Sequence, residues 1–379
     1  MSPSAGGTRR AWAEVDLGAV RHNARLLAGL VAPAGLCAVV KAGGYGHGSV
    51  AVARAALEGG ASWLAVALVE EGATLRRHEI DAPILLLSEP PAEAMGDVVA
   101  LALTPTLYTQ EAVEAAAKAV AATGAAPLIV HVKVDTGMHR VGAGAEEAVG
   151  VVRAVADRPE LTFGGLWTHF AVADEPGHPF TDQQHARIEA VAHRLAGLGL
   201  RPPLVHACNS AGALASPEAH HDLVRCGIAL YGVAPSPALA STLPFAGLRP
   251  ALSLRAQVSY VRRVGAGEAV SYGLRRPLDR ASTVATVPVG YADGVPWRLG
   301  VSGAEVLIGG RRRPLAGSVT MDQILVDCGD DAVAPGDEVV LLGGQGEETI
   351  TAWDWATQVG TIAYEVLCGI SARVPRVYD

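Results

Sequence analysis

From residue 11 to about residue 231, short β-like runs alternate with longer helix-like segments. This alternation constrains the fold more than any other feature of the chain. The β candidates are residues 36–40, 63–67, 84–87, 106–108, 128–134, 164–169, 204–207 and 224–231, with helical spacing between most of them, as at 113–122 and 184–200. Eight strands with intervening helices predict an α/β fold, a (β/α)8 barrel, with a doubly wound open sheet as the competing arrangement. After residue 245 the texture changes. Residues 252–260 read LSLRAQVSY, a near-strict alternation of period two, and further β-like runs follow at 282–289, 304–308, 323–326 and 338–342. Glycine-rich turns separate them, which predicts a second, mostly antiparallel β domain. The Pro/Ser-rich stretch 234–247 marks the boundary. We place the barrel at 12–243 and the β domain at 244–379, joined by residues 1–11. Residues 11–17 (AWAEVDL) also alternate and suit the β domain.

Half of the 379 residues are hydrophobic and 18% are charged, ample material for a large core. The net charge of −8, the absence of a basic run and only 5% aromatic residues argue against nucleic acid or an anionic membrane as partner. No apolar run approaches the roughly 20 residues that span a bilayer. MSPSAGGTRR lacks the apolar centre of a signal peptide, and the five cysteines form no CxxC pair. The expectation is a reduced, cytoplasmic protein. His220-His221 reads as a solvated loop, and no metal-ligand spacing is visible, so no metal is expected.

In a barrel of this type the chemistry sits at the C-terminal strand ends, and unusual polar residues fall there. Lys41 follows the first strand. His131, Lys133 and Asp135 lie along the fifth, with Arg140 just beyond. His169 ends the sixth, Asn209 and Ser210 follow the seventh, and Arg225 and Gly227 lie in the last. Each alone has a bland reading, as a solvated strand end or a satisfied core histidine. Five strands aiming polar groups at one mouth are harder to dismiss. Partial desolvation of Lys41 would favour the neutral amine that a Schiff base needs. Gly43, Gly44 and Gly46 let backbone approach a ligand. Asn209–Gly212 and Gly227 occupy the loops where such barrels commonly hold phosphate, with a hydroxyl from Ser210; the same NSAG run also reads as a helix cap. A Schiff-base lysine and a phosphate cradle together suggest pyridoxal 5′-phosphate (PLP).

These residues lie in blocks that resemble the alanine racemase family: VVKAGGYGHG at 39–48, KVDTGMHR at 133–140, WTHFA at 167–171, HACNSAG at 206–212, RCGIALYG at 225–232, VSYG at 270–273, PVGYADG at 288–294, MDQ at 321–323 and TIAYEV at 361–366. The resemblance runs from residue 13 to residue 378. It implies interconversion of L- and D-alanine, supplying D-alanine for cell-wall peptidoglycan, in a homodimer with shared active sites. It implies PLP on Lys41, with Tyr45, Ser210, Gly227, Ile228 and Tyr364 at the phosphate. Arg225 would face the pyridine nitrogen with His169 behind it, and Arg140 would sit near the PLP phenolate and the substrate carboxylate. Tyr272, with the Met321 backbone, would enter from the other subunit, and Tyr291 would line the entrance beside Tyr364. In many members the lysine matching Lys133 is carbamylated and braces the arginine that matches Arg140. The chain departs from the usual pattern at Gly43-Gly44, Cys226, Thr320 and Ala363; by the resemblance Thr320 and Ala363 flank the entrance and phosphate region, which bears on substrate access and inhibitor binding rather than on the reaction.

Racemisation needs acid/base groups on opposite faces of the substrate Cα. Lys41 and Tyr272 are the natural pair, the lysine for the D-enantiomer and the tyrosine for the L-enantiomer. An arginine at the pyridine nitrogen rarely yields a proton, so the nitrogen stays unprotonated and transamination is disfavoured. Rival readings are a non-catalytic PLP-binding barrel, a barrel-type decarboxylase and a racemase of serine or a larger amino acid. The VSYG, PVGYADG and MDQ blocks of the second domain argue against the first.

Overall fold

The computed structural model describes residues 9–379. The chain divides into two compact units, one made of Gly18–Gly44 and Ser49–Arg249, the other of the N-terminal segment to Leu17, Tyr45–Gly48 and Pro250–Asp379. Strand β1 (Ala11–Val15) belongs to the second unit, because it pairs antiparallel with β10 (Leu252–Gln257). The expected boundary at residue 12 is therefore corrected to Leu17, and the one at 243 to Arg249. The physical reason is the alternation of AWAEV, which needs a sheet edge to pair with. Of the N-terminal residues 1–11 assigned to the β domain, 1–8 lie outside the described residues.

The first unit carries β2 (Gly35–Val39), β3 (Trp63–Val66), β4 (Ile84–Leu86), β5 (Thr106–Leu107), β6 (Leu128–Lys133), β7 (Leu161–Trp167), β8 (Val205–His206) and β9 (Leu223–Cys226). They form two parallel runs, ordered β4-β3-β2-β9 and β5-β6-β7-β8. Backbone bonds close both seams: Leu86 N–H donates to Thr104 O at 2.9 Å, and Arg225 N–H to Cys208 O at 3.1 Å. The result is the eight-stranded barrel expected from the alternation. Leu64, Ala65 and Val66 are fully buried in succession, as a strand covered on both faces requires. The last β candidate, 224–231, is corrected: the strand stops at Cys226, and Ile228–Tyr231 is a 3-10 turn. Gly227 breaks the strand with ψ −96°.

The second unit holds β10, β11 (Tyr260–Val264), β12 (Ser282–Val287), β13 (Glu305–Ile308), β14 (Arg311–Pro314), β15 (Ile324–Asp327), β16 (Glu338–Gln345), β17 (Glu348–Ile350) and β18 (Arg376–Tyr378). One sheet runs β14-β13-β16-β10-β1-β18 with β17 on β16, and a second runs β11-β12-β15. All pairs are antiparallel except β1 with β18. The single run expected at 252–260 divides between the two sheets, and two helices, Ala352–Val359 and Ala363–Gly369, follow the strands. Among the described residues no helix is long and apolar enough to cross a membrane. The five cysteines are free thiols.

Candidate active site

The barrel interior is organised around Arg225, which β9 carries inward and which is 2% exposed. Its Nη1 donates to His206 Nδ1 at 2.7 Å. Its Nη2 reaches Thr168 O at 2.8 Å, Ala207 O at 3.0 Å and His169 Nδ1 at 3.2 Å. Among the described residues no carboxylate pairs with it, and burial pushes its pKa down to about 10. A guanidinium only donates, so His206 Nδ1 must accept and its Nε2 must carry the proton. His206 Nε2 lies 2.9 Å from His131 Nδ1. The proton direction is thereby set along Arg225, His206 and His131. Burial, reinforced by Arg225, holds all three imidazoles neutral: His131 falls to about 3, and His169 and His206 lie well below their usual range.

Two glycines of β7 make room for this chain. A Cβ on Gly165 would meet the His131 ring at 2.9 Å, and one on Gly164 would meet Ile129 at 2.4 Å. The ladder between β6 and β7 shifts register between Val130 and His131 at this place. Trp167, at the end of β7, is the platform for the cations. Lys133 Nζ stands 4.2 Å and Arg225 Cζ 4.5 Å from its ring centroid, and the ring stacks on His206 at 8°. Lys133 is 3% exposed. Burial, Arg225 and Arg140 together lower its pKa to about 7. Asp135 does not serve as its partner, because its oxygens accept from Gly137 N–H, His139 N–H and the His139 ring. Lys41, half-buried directly after β2, and the exposed Arg140 add further positive charge felt by Lys133 and His169.

The NSAG run caps a helix and also bridges two loops, through different residues. Asn209 is the cap of helix Ser210–Ala215, accepting from Gly212 N–H at 3.0 Å. Ser210 bridges the loops after β8 and β9: its Oγ accepts from Gly227 N–H at 2.9 Å and Ala229 N–H at 3.3 Å. With both lone pairs so used, its hydroxyl proton remains to donate to a ligand. Ile228, between those two donors, is fully buried.

In the second unit, Tyr45 packs beside Tyr364 with ring centroids 6.3 Å apart. Gly290 allows the turn of Tyr291 to lie on the Met321 loop: Tyr291 N–H donates to Thr320 O at 2.9 Å and Ala292 N–H to Met321 O at 3.1 Å. Ser271, at φ +66°, donates to Ser318 O, and Ser318 donates back to Tyr272 O at 3.0 Å. The Tyr272 backbone is thus pinned while its side chain is 76% exposed. Met321, Ile362 and Leu274 are also more than half exposed. Sequence reasoning missed Trp167 and His206 as site residues, because a tryptophan and a histidine in apolar strands look like ordinary core.

The residues fit PLP. Arg225 Nε is buried without a hydrogen-bond partner, and a pyridine nitrogen is an acceptor of the kind such a donor lacks. The Ser210–Gly227–Ile228 cradle and the unbalanced positive charge suit a phosphate.

The family model described as "Alanine racemase, N-terminal domain" matches residues 15–235, and "Alanine racemase, C-terminal domain" matches 251–378. The chain is 48% identical over 373 residues to the alanine racemase of Symbiobacterium thermophilum, covering 98% of each. It superposes on the alanine racemase of the D-cycloserine producer Streptomyces lavendulae with a TM-score of 0.93, at 40% identity and 98% coverage of both chains. The alanine racemase of Bacillus anthracis with bound L-Ala-P gives the same TM-score at 38% identity, over 99% of this chain and 96% of that one.

Proposed function

The chain belongs to the alanine racemase family and interconverts L- and D-alanine with PLP, and we propose that Lys41 and Tyr272 are the two groups that move the Cα proton. PLP, when bound, supplies the electron sink that makes this proton removable. The observation that carries the reading is the buried Arg225, with an unpartnered Nε and, among the described residues, no carboxylate partner, in the same barrel as the loop bridge made by Ser210 and Gly227. Lys41, in that same barrel, is the attachment residue and takes or returns the proton on one face through its Nζ. Tyr272 serves the opposite face through its phenol oxygen. Its exposure supports action in the site of a second copy, so the working unit is a homodimer with shared sites.

Ser210 donates its hydroxyl proton to the phosphate, with Gly227, Ile228, Tyr45 and Tyr364 completing the grip. Asn209 holds the Ser210 helix start in place. Arg225 presents a donor that does not give up its proton to a ring nitrogen, which disfavours transamination. His169, neutral and accepting from Arg225 through Nδ1, fixes the guanidinium plane. Arg140 orients the substrate carboxylate, and Tyr291 with Met321 shapes the entrance. Lys133 is proposed to be carbamylated and to brace Arg140. The reaction supplies D-alanine for peptidoglycan in the cytoplasm.

Lys41→Ala and Tyr272→Phe should each reduce turnover by about 10²-fold or more. Mixing the two inactive variants should restore activity through hybrid dimers. No restoration after demonstrated subunit exchange would overturn the shared site. Retention of full activity by Tyr272→Phe would overturn its role as a base.

A further inference from the structure

A second cluster of ligand-type side chains lies outside the cofactor residues. His185 and Glu189 sit one helical turn apart on Phe180–Gly197. His221 lies in the loop that leads into β9, at φ +49°, a left-handed backbone that a side-chain-bearing residue seldom adopts. The fold brings the three together. His185 Nε2 is 3.1 Å from His221 Nε2 and 3.6 Å from Glu189 Oε1, and all three ligand atoms lie within 4.8 Å of one another.

Direct hydrogen bonding accounts for only part of this geometry. One imidazole N–H satisfies the two facing nitrogens, and the carboxylate at 3.6 Å is beyond hydrogen-bond range. A shared ion accounts for both measured edges together. Zinc holds imidazole nitrogen and carboxylate oxygen at roughly 2.0–2.2 Å with tetrahedral angles, which places neighbouring ligand atoms about 3.3 Å apart. The two measured edges fall on either side of that value. The rings meet edge to face with centroids 4.9 Å apart, and their Nε2 atoms face each other.

We propose that His185, Glu189 and His221 form a binding site for a divalent transition-metal ion of the zinc class, with water at the fourth position. The ion would tie helix Phe180–Gly197 to the loop before β9, four residues ahead of Arg225. The sequence holds two of the three ligands close together, the i, i+4 pair of His185 and Glu189. The third ligand comes from the far side of β8, which is why no metal spacing was visible.

The test uses the PLP-loaded protein stripped with chelator and titrated with zinc or cobalt(II). The expected result is one ion per chain, a rise in Tm that saturates with zinc, and the intense visible bands of tetrahedral cobalt. His185→Gln and His221→Gln should each weaken binding at least 10-fold, Glu189→Gln less, and His220→Gln not at all, since His220 bonds Ala213 O instead. Loss of the cobalt bands in the ligand variants with PLP content unchanged separates this site from the cofactor site. Wild-type protein that binds no zinc, or that gives no tetrahedral cobalt spectrum, overturns the proposal, as does binding that survives both histidine substitutions. If a histidine variant fails to fold, the cobalt spectrum of the wild type alone decides.

Discussion

Lys133 Nζ rests 4.2 Å from the centre of the Trp167 ring, with Arg225 a similar distance from that same ring. Two cations share one π-face provider and no acid, and the lysine yields first: its pKa drops to about 7, while the guanidinium stays charged. A lysine that is substantially neutral at physiological pH is a nucleophile toward CO2. The amine nitrogen bonds to the carbon, one proton leaves, and the product carries a negative charge where a positive one stood.

Protein prepared in 13CO2 should therefore show a carbamate signal that Lys133→Ala abolishes. The variant should retain weak activity, reduced about 10- to 100-fold, with partial rescue by acetate or chloride. An unmodified amine at this position in CO2-equilibrated protein would count against the carbamate.

Ser210→Ala should weaken PLP binding. It removes a donor to the phosphate and strands two buried N–H groups, those of Gly227 and Ala229. Leaving a buried donor unpaired costs about 1–3 kcal/mol, so PLP affinity, read from the cofactor absorbance during dialysis, should drop about 10-fold or more. Unchanged affinity would remove Ser210 from the cradle.

The neutral histidines make the barrel sensitive to acid. The folded-state pKa of His131 is about 3, below the usual 6.5, so the unfolded chain binds the proton more readily. The contribution is complete above pH 6.5 and is lost as the pH falls toward 3. At pH 5 the loss from this group is about 2 kcal/mol. His131→Gln should shrink the difference in denaturant midpoint between pH 7.5 and pH 5. An equal pH dependence in the variant would show that His131 is protonated in the folded state.

Gly290→Ala should disturb the entrance without touching a side chain there. The added Cβ would lie 2.3 Å from Thr320 O and 2.4 Å from Met321 O, neither of which is free to move. The Tyr291 turn and the Met321 loop must separate, and KM should rise several-fold more than kcat falls. Kinetics matching the unsubstituted protein would mean that this contact does not shape the entrance.

The barrel was legible because parallel strands buried on both faces leave apolar runs of fixed length, and because Lys41, Ser210 and Arg225 fall where those runs end. Ile228–Tyr231 was misread as strand for the same reason: IALY is apolar, and nothing in its composition shows that Gly227 has already turned the chain. The division of labour between Asn209 and Ser210 could not be read either, since both residue types cap helices and both bind anions. Trp167 and His206 were hidden by chemistry that looks like core until a buried guanidinium lies beside it. The cluster of His185 and His221 needed the fold itself, because β8 and its loop separate the ligands in sequence.

Among the described residues of the barrel unit, Arg225 is the buried side chain that keeps its charge near pH 7, and Asp293, the buried acid, belongs to the other unit. A domain built this way is unfinished as a polypeptide. Part of the free energy that holds it together arrives with a small anionic vitamin derivative, and ligand that binds only the folded chain adds directly to its stability. Vitamin B6 supply would then govern how long each molecule survives proteolysis as well as how fast it turns over. A cell short of the vitamin would lose the enzyme by degradation, and restoring activity would require new synthesis.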